Sequence, residues 1–242
     1  MFSRAGAIAG NVAAMGAVGV VPIVAPVLLG SASANADAST AITTVADAPA
    51  GGLIVTIAAF VDAAAHNLAN ASTCADTVNT YSSPLDVQNG VNPTSRDSAF
   101  FEAFNSVHLG IGGTITCGPG STGFGSQRGA LAFYASGLIT TDPLDVHGNF
   151  GTGTGTAVAS VTSATLAKAN ELIVGYVITG LAASGVGFTE DATFTSIGSI
   201  IFGTSIMRVA YKIVAATTAV AYAPTFASSV NWGANVISFK GN

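Results

Sequence analysis

LIVTIAAFV, Leu53 to Val61, is the stretch that decides the fold. It is an uncharged, β-branched run, opened by Gly51-Gly52 and closed by Asp62. Apolar runs this short, bounded by turn residues and lacking alternation, suit a strand covered on both faces or lying at a sheet centre. ELIVGYVIT, Glu171 to Thr179, repeats its look more than a hundred residues later. Between and beyond these two runs the chain keeps to strand, turn, strand. GGTITCG (Gly113 to Gly118) and ALAFYASGL (Ala130 to Leu138) read as strands, and SAFFEAFNSV (Ser98 to Val107) as an aromatic strand or one helical turn. FTSIGS, SIIFGTSIMRVAYKIV, AVAYAPTF and VNWGANVISFK fill the last third, each bounded by Gly, Pro, Ser or Asn.

Helical signals are few. VDAAAHNLAN (Val61 to Asn70) is Ala-rich enough for a short helix or loop crossing, and no capping box opens a long amphipathic run. The expectation is an all-β chain of ten or more strands, an antiparallel β-sandwich held in one domain over residues 26–242. The 242 residues are enough for a core that needs no staples.

Composition narrows the function. Charged residues make up 8% of the chain and hydrophobic residues 50%, with 29 glycines, against about 25% charge in an ordinary soluble domain. Net charge is −5, and the seven basic residues, Arg4, Arg96, Arg128, Lys168, Arg208, Lys212 and Lys240, are scattered. Binding a phosphate backbone needs clustered Lys and Arg, so direct nucleic-acid binding is disfavoured. Cys74 and Cys117 sit in no CxxC, and His66, His108 and His147 lie far apart, so no metal site is expected. The two cysteines suit either one long-range disulfide or two buried thiols.

Residues 5–29 carry no charge, and SASANA (Ser31 to Ala36) follows them. A secretory leader cleaved at an A-x-A site has this outline, as has a weak membrane span. The Ala/Gly-rich composition and the interruptions at Asn11, Pro22 and Pro26 weigh against both. Residues 1–25 are expected to form an uncleaved apolar arm that orders against neighbouring subunits, with no membrane span.

Several motifs read better as structure than as chemistry. Gly118 to Gly123 spells GxGxxG, but loop and strand follow where a dinucleotide site needs a helix, so it is a glycine-rich turn. GTGTGT (Gly151 to Thr156) lacks the Gly-Lys-Ser/Thr of a Walker loop and suits a connection or a flat polar strand. Asp142 and Asp145, with Asp86 and Asp97, have no calcium-loop spacing and read as turn caps. Glu171 is expected to be solvated at the start of its strand. Trp232 and Phe100, Phe101, Phe104, Phe133, Tyr134, Phe194, Phe202, Tyr211, Phe226 and Phe239 are expected in the core. Asn70-Ala71-Ser72 is a sequon too short to carry weight. There is no Gly-x-Ser-x-Gly elbow and no recognisable triad, so no catalytic, cofactor-binding or metal-ligating residue is assigned.

Five segments stand in a recognisable order: VLLGSASANADASTAITTVADAPAGGLIVTIAAF, CADTVNTYSS, LAFYASGLITTDPLDV, ANELIVGYV and VNWGANVISFK. Together they resemble a family of β-sandwich domains found in phage structural proteins and bacterial surface proteins, over about Val27 to Lys240. The resemblance implies a jelly-roll-like sandwich used as a displayed or cementing module, with no catalytic residue to carry over. It implies loop-organising roles for Asp76, Asn79 and Tyr81 and for Leu144 and Asp145. The apolar arm and Cys74 depart from the family's pattern. The function this predicts is non-enzymatic: a virion protein, most simply a capsid decoration or cement subunit. Its expected partners are major capsid or tail subunits, together with further copies of itself in a cyclic oligomer. The alternatives are a tail-fibre or tail-tip module that binds a glycan and an exported bacterial adhesin or filament subunit.

Overall fold

Sixteen strands, arranged as two eight-strand units of the same winding, make up the described part of the chain. A computed structural model describes residues 21–35, 39–62, 72–88, 95–119, 127–180 and 187–242. The first unit holds β1 (Val24–Asn35), β2 (Thr40–Thr43), β3 (Leu53–Asp62), β4 (Ser72–Ala75), β5 (Leu85–Gln88), β6 (Ser95–Phe104), β7 (Thr114–Pro119) and β8 (Gln127–Ser136). The second holds β9 (Asn149–Ala157), β10 (Val161–Thr162), β11 (Glu171–Thr179), β12 (Phe188–Thr189), β13 (Thr195–Phe202), β14 (Ser205–Val214), β15 (Ala221–Tyr222) and β16 (Thr225–Lys240).

The large sheet of the first unit runs β1-β8-β3-β6-β5, and a small sheet runs β2-β7-β4. Adding eight to each label gives β9-β16-β11-β14-β13 and β10-β15, the pairings seen in the second unit, where β12 joins the edge of β16. All pairs are antiparallel. First strand beside last, third between last and sixth, and second beside seventh is the jelly-roll order. The apolar runs repeat with the topology: Leu53-Ile54-Val55 in β3 stands where Leu172-Ile173-Val174 stands in β11.

The two large sheets pack face to face through one core. Leu53, Val55, Ile57 and Ala59 of β3 meet Leu172, Val174, Tyr176 and Ile178 of β11, with Phe100, Phe133, Phe202, Met207, Ile237 and Phe239 around them. The other face of the first large sheet is covered by the small sheet, where Ile54, Ala58, Phe101 and Tyr134 pack on Ile42, Ile115 and the two cysteines. The other face of the second is covered by β10, β15 and their loops through Val161, Leu166, Val220 and Tyr222. The result is four layers, with β3, β8 and β11 covered on both sides. That is why these strands are apolar without alternation.

SAFFEAFNSV resolves as strand β6, and GTGTGT lies within β9. Val61 and Asp62 of the Ala-rich VDAAAHNLAN belong to β3, while 63–71 lie outside the described residues. Of the expected arm at 1–25, residues 1–20 also lie outside them. Ile23 is buried in the central core and β1 begins at Val24, so the end of that segment belongs to the sandwich. Gly137 has φ 79°, and a side chain there would run into the Pro22 carbonyl, so only glycine lets the exit from β8 pass this close. Among the described residues, no helix is long and apolar enough to cross a membrane.

Candidate functional site

Few charged groups reach the surface. Of the fourteen charged side chains whose burial is described, only Asp47, Asp142 and Lys168 are exposed. Asp97, Glu102, Arg128 and Glu171 are buried, and the other seven are half-buried.

Asp76 shows how. Its Oδ1 accepts from the backbone N–H of Val78 (2.7 Å) and of Asn79 (2.6 Å), and its Oδ2 from Asn79 Nδ2 and the Tyr81 hydroxyl, both at 3.0 Å. Asn79 Oδ1 in turn accepts from the Val107 N–H at 2.6 Å, tying this loop to the one after β6. Burial and then the Asp76 carboxylate push the Tyr81 phenol far above its usual range, so it stays a donor. Asp76, Asn79 and Tyr81 therefore do organise a loop. Asp191 makes the matching clamp in the second unit, accepting from Thr193 N–H (2.9 Å), Thr193 Oγ1 (2.8 Å) and Ala223 N–H (3.0 Å). Burial works against its charge, but these donors outweigh it and hold the carboxyl below the usual carboxylate value.

One group of titratable side chains lies where the units join. Glu102 on β6 is buried, with Oε2 unpartnered, and loss of solvent is the main cause pushing it up to about 7. Asp142 adds to that rise, while His147 and Lys240 oppose it. Asp142 lies 3.7 Å from the Lys240 ammonium and remains exposed. Asp145 accepts from the Ala167 N–H at 2.7 Å, and its own N–H donates to the Ser238 carbonyl at 2.9 Å. Asp142 and Asp145 thus fasten the inter-unit loop through an ion pair and a long-range hydrogen bond rather than through local turn caps. Leu144 bridges Phe239 within the same loop.

Glu171 corrects an expectation. It is wholly buried rather than solvated, because β11 is flanked by β14 and β16 from its first residue, Glu171 opposing both Val214 and Lys240. Its Oε1 accepts from the Lys168 N–H at 2.9 Å, and burial holds the carboxyl above its ordinary range. Phe104 is a second correction. It is 46% exposed because β6 ends there and Asn105 turns the chain at φ 48°. Trp232 and most of the other aromatic residues are buried as expected, Tyr211 only partly.

The cysteines form one disulfide, Cys74 to Cys117, facing each other across β4 and β7. His108 pairs with Asp47 at 3.7 Å on an exposed loop, His147 is exposed, and His66 lies outside the described residues. Among the described residues, no three His, Cys, Asp or Glu side chains converge as metal ligands would. Asp97 is buried in the first large sheet, and the side chain of Asp86 lies outside the description. Gly118 and Pro119 end β7, 120–126 are not described, and strand β8 follows. The sequon's Asn70 is not described either.

The described basic residues are spread over the fold, with Arg208 and Lys212 sharing one face of β14. Arg128 is buried 5.8 Å from the Phe60 ring centre, Arg208 lies 4.3 Å over Phe188, and Lys212 lies 6.0 Å from Phe194. Among the described residues two surface grooves stand out, both in the second unit. One, of about 580 Å³, lies between Asp191, Lys212 and the 214–221 loop. The other, of about 400 Å³, has Trp232 and Gly151 beside exposed Phe150 and the hydroxyls of Thr152, Ser160 and Thr162. In the first groove the Thr193 hydroxyl donates to the Asp191 carboxylate at 2.8 Å, a carboxylate that also accepts from two backbone N–H groups; the second groove is lined by no acid or base. Sequence reasoning missed Glu102 and the Asp191 clamp; only the short Asp-x-Thr spacing signalled the second.

Compared with family models, curated proteins and solved structures, the chain matches none. The likeness to phage and bacterial surface sandwiches rests on the sequence segments alone.

Proposed function

We propose that this chain is a non-enzymatic structural subunit of a phage-like virion, a capsid decoration or cement protein or another accessory surface subunit. The observation that supports this is the charge-poor exterior: among the fourteen described charged side chains only Asp47, Asp142 and Lys168 are exposed, seven are half-buried and four are buried. A surface of Ser, Thr, Gly and Ala meets other subunits with little charge to desolvate, whereas burying an unpaired charge is expensive. Each Å² of apolar area covered adds about 25 cal/mol, so a broad uncharged contact supplies the attachment. Major capsid or tail subunits of the same particle, and further copies of this chain, are the partners this reading names.

The test is a sedimentation gradient of native particles, with the chain followed by mass spectrometry that reads its N-terminus. Co-migration with particles, at a copy number in fixed ratio to the major capsid protein, supports the reading. A chain confined to soluble or membrane fractions sinks it.

A second reading has its own observation. The Cys74–Cys117 disulfide is the kind that persists in oxidising compartments, which favours an exported bacterial surface subunit. That reading does not go well with cleavage at SASANA. Ser31 to Asn35 belong to β1, paired residue by residue with Leu131 to Gln127 of β8, and trimming there would strip the edge strand that buries Leu29.

A further inference from the structure

We infer that the open edge of β13 is a self-association surface, which adds a strand from β13 of a second copy. The inference takes from the proposed function only the expectation of a homo-oligomer, and it supplies the surface. β13 closes one side of the second large sheet and pairs only with β14 among the described residues. Its sequence, TSIGSIIF, holds no charge and no proline. Proteins usually blunt such an edge with proline, lysine, bulges or brevity, because its unpaired N–H and C=O groups template another strand.

The first unit shows those guards in the same molecule. β1 carries Pro26 and two register breaks, and β5 is four residues long with one break. β13 has a single break at Ser196/Gly198, which leaves Gly198 to Phe202 in regular register. The edge is also held rigid. Its inner side chains, Ile200 and Phe202, pack into the central core, and Gln127 Oε1 accepts from the Thr204 N–H at 2.9 Å in the hairpin turn.

A second copy fits this edge because the strand complements itself. Antiparallel pairing about a two-fold axis at Ile200 sets Ser199 against Ile201 and Gly198 against Phe202, with no like charges opposed. It would cover Ile201, now 51% exposed. The nearest cations, Arg208 and Lys212 on β14, are held over the rings of Phe188 and Phe194.

The test uses the full chain in sedimentation velocity over a concentration series. Ser199→Glu with Ile201→Glu puts two like charges on the edge at exposed positions, Ser199 lying opposite Arg208 of β14, and Ala41→Glu on exposed β2 is the matched control. Wild type and the control are expected to form a two-copy species, and the double variant to associate at least about tenfold more weakly with an unchanged unfolding temperature. Hydrogen exchange of the wild type needs no variant. Concentrating the protein is expected to slow the amides of Gly198 to Phe202. A monomeric wild type, a double variant that associates as tightly as wild type, or exchange in β13 independent of concentration would each overturn the inference. Self-association that survives the double variant removes this surface while leaving an oligomeric subunit standing.

Discussion

Replacing both cysteines tests how much of the first unit depends on its cross-link. The Cys74–Cys117 bridge closes a loop with a sequence separation of 43, containing β5 and β6. The chain-entropy relation, −2.1 − 1.5R ln n, gives about −13 cal/mol/K for that loop, or about 4 kcal/mol at room temperature. Among the described residues the four residues of β4 pair with β7 alone. Alanine is the right replacement because both side chains are buried in an apolar layer, where a serine hydroxyl would need a partner. The assay is urea unfolding of wild type and of Cys74→Ala/Cys117→Ala, each with and without reductant, read by tryptophan fluorescence and far-UV circular dichroism. The variant is expected to lose about 4 kcal/mol, and reductant to lower the wild-type midpoint only. A variant within about 1 kcal/mol of wild type would refute the reasoning. So would full alkylation of both thiols in unreduced, denatured protein.

Glu102 gives a pH dependence opposite to that of most carboxylates. Its folded value near 7 lies above the unfolded 4.5, so its contribution is full below the unfolded value and is lost as pH rises through about 7. Thermal unfolding between pH 5 and 8 should show stability falling with rising pH, and Glu102→Gln should flatten the slope; an unaltered slope in the variant would count against the buried carboxyl. Gly175→Ala brings a Cβ to 2.6 Å from the wholly buried Tyr222 ring and should cost about 1–3 kcal/mol, measured by urea unfolding. Gly110→Ala, whose Cβ would meet nothing nearer than 3.6 Å, is the near-neutral comparison; equal losses at both positions would undermine the packing argument. Asp76→Ala removes four hydrogen bonds and should destabilise by about 1–3 kcal/mol, with the greatest gain in amide exchange at Val78, Asn79 and Val107. Exchange unchanged at those amides would show that the carboxylate does not hold the loop.

The all-β class was legible because burial on both faces leaves an unmistakable trace. Leu53 to Val61 and Glu171 to Thr179 lack alternation since each lies between two layers. The outer layer of the second unit was legible only in part, β15 falling within AVAYAPTF while β10, two residues long, is too short for any periodicity. Cysteine spacing could not decide between bridge and thiols; the register of β4 against β7 does. Glu171 misled because a charge beside a loop normally reaches water, whereas here β14 and β16 already flank it. Glu102 was hidden for a related reason: it sits in an aromatic strand whose pattern gives no hint of which face the second unit covers.

The winding of the second unit has a consequence for how the chain is made. β16 is the last of these sixteen strands to be made, yet β9, β11 and β12 all pair with it. Until residues 225–240 emerge, β9 and β12 lack the only strand that pairs them among the described residues, and β11 has β14 alone. The first unit can close once β8 is out, more than a hundred residues earlier, but the large-sheet face that the second unit will cover must wait. Throughout that interval a broad apolar surface stands open in a chain with little charge to keep copies apart. Synthesis rate and crowding should therefore set the yield of this protein more than its final stability does.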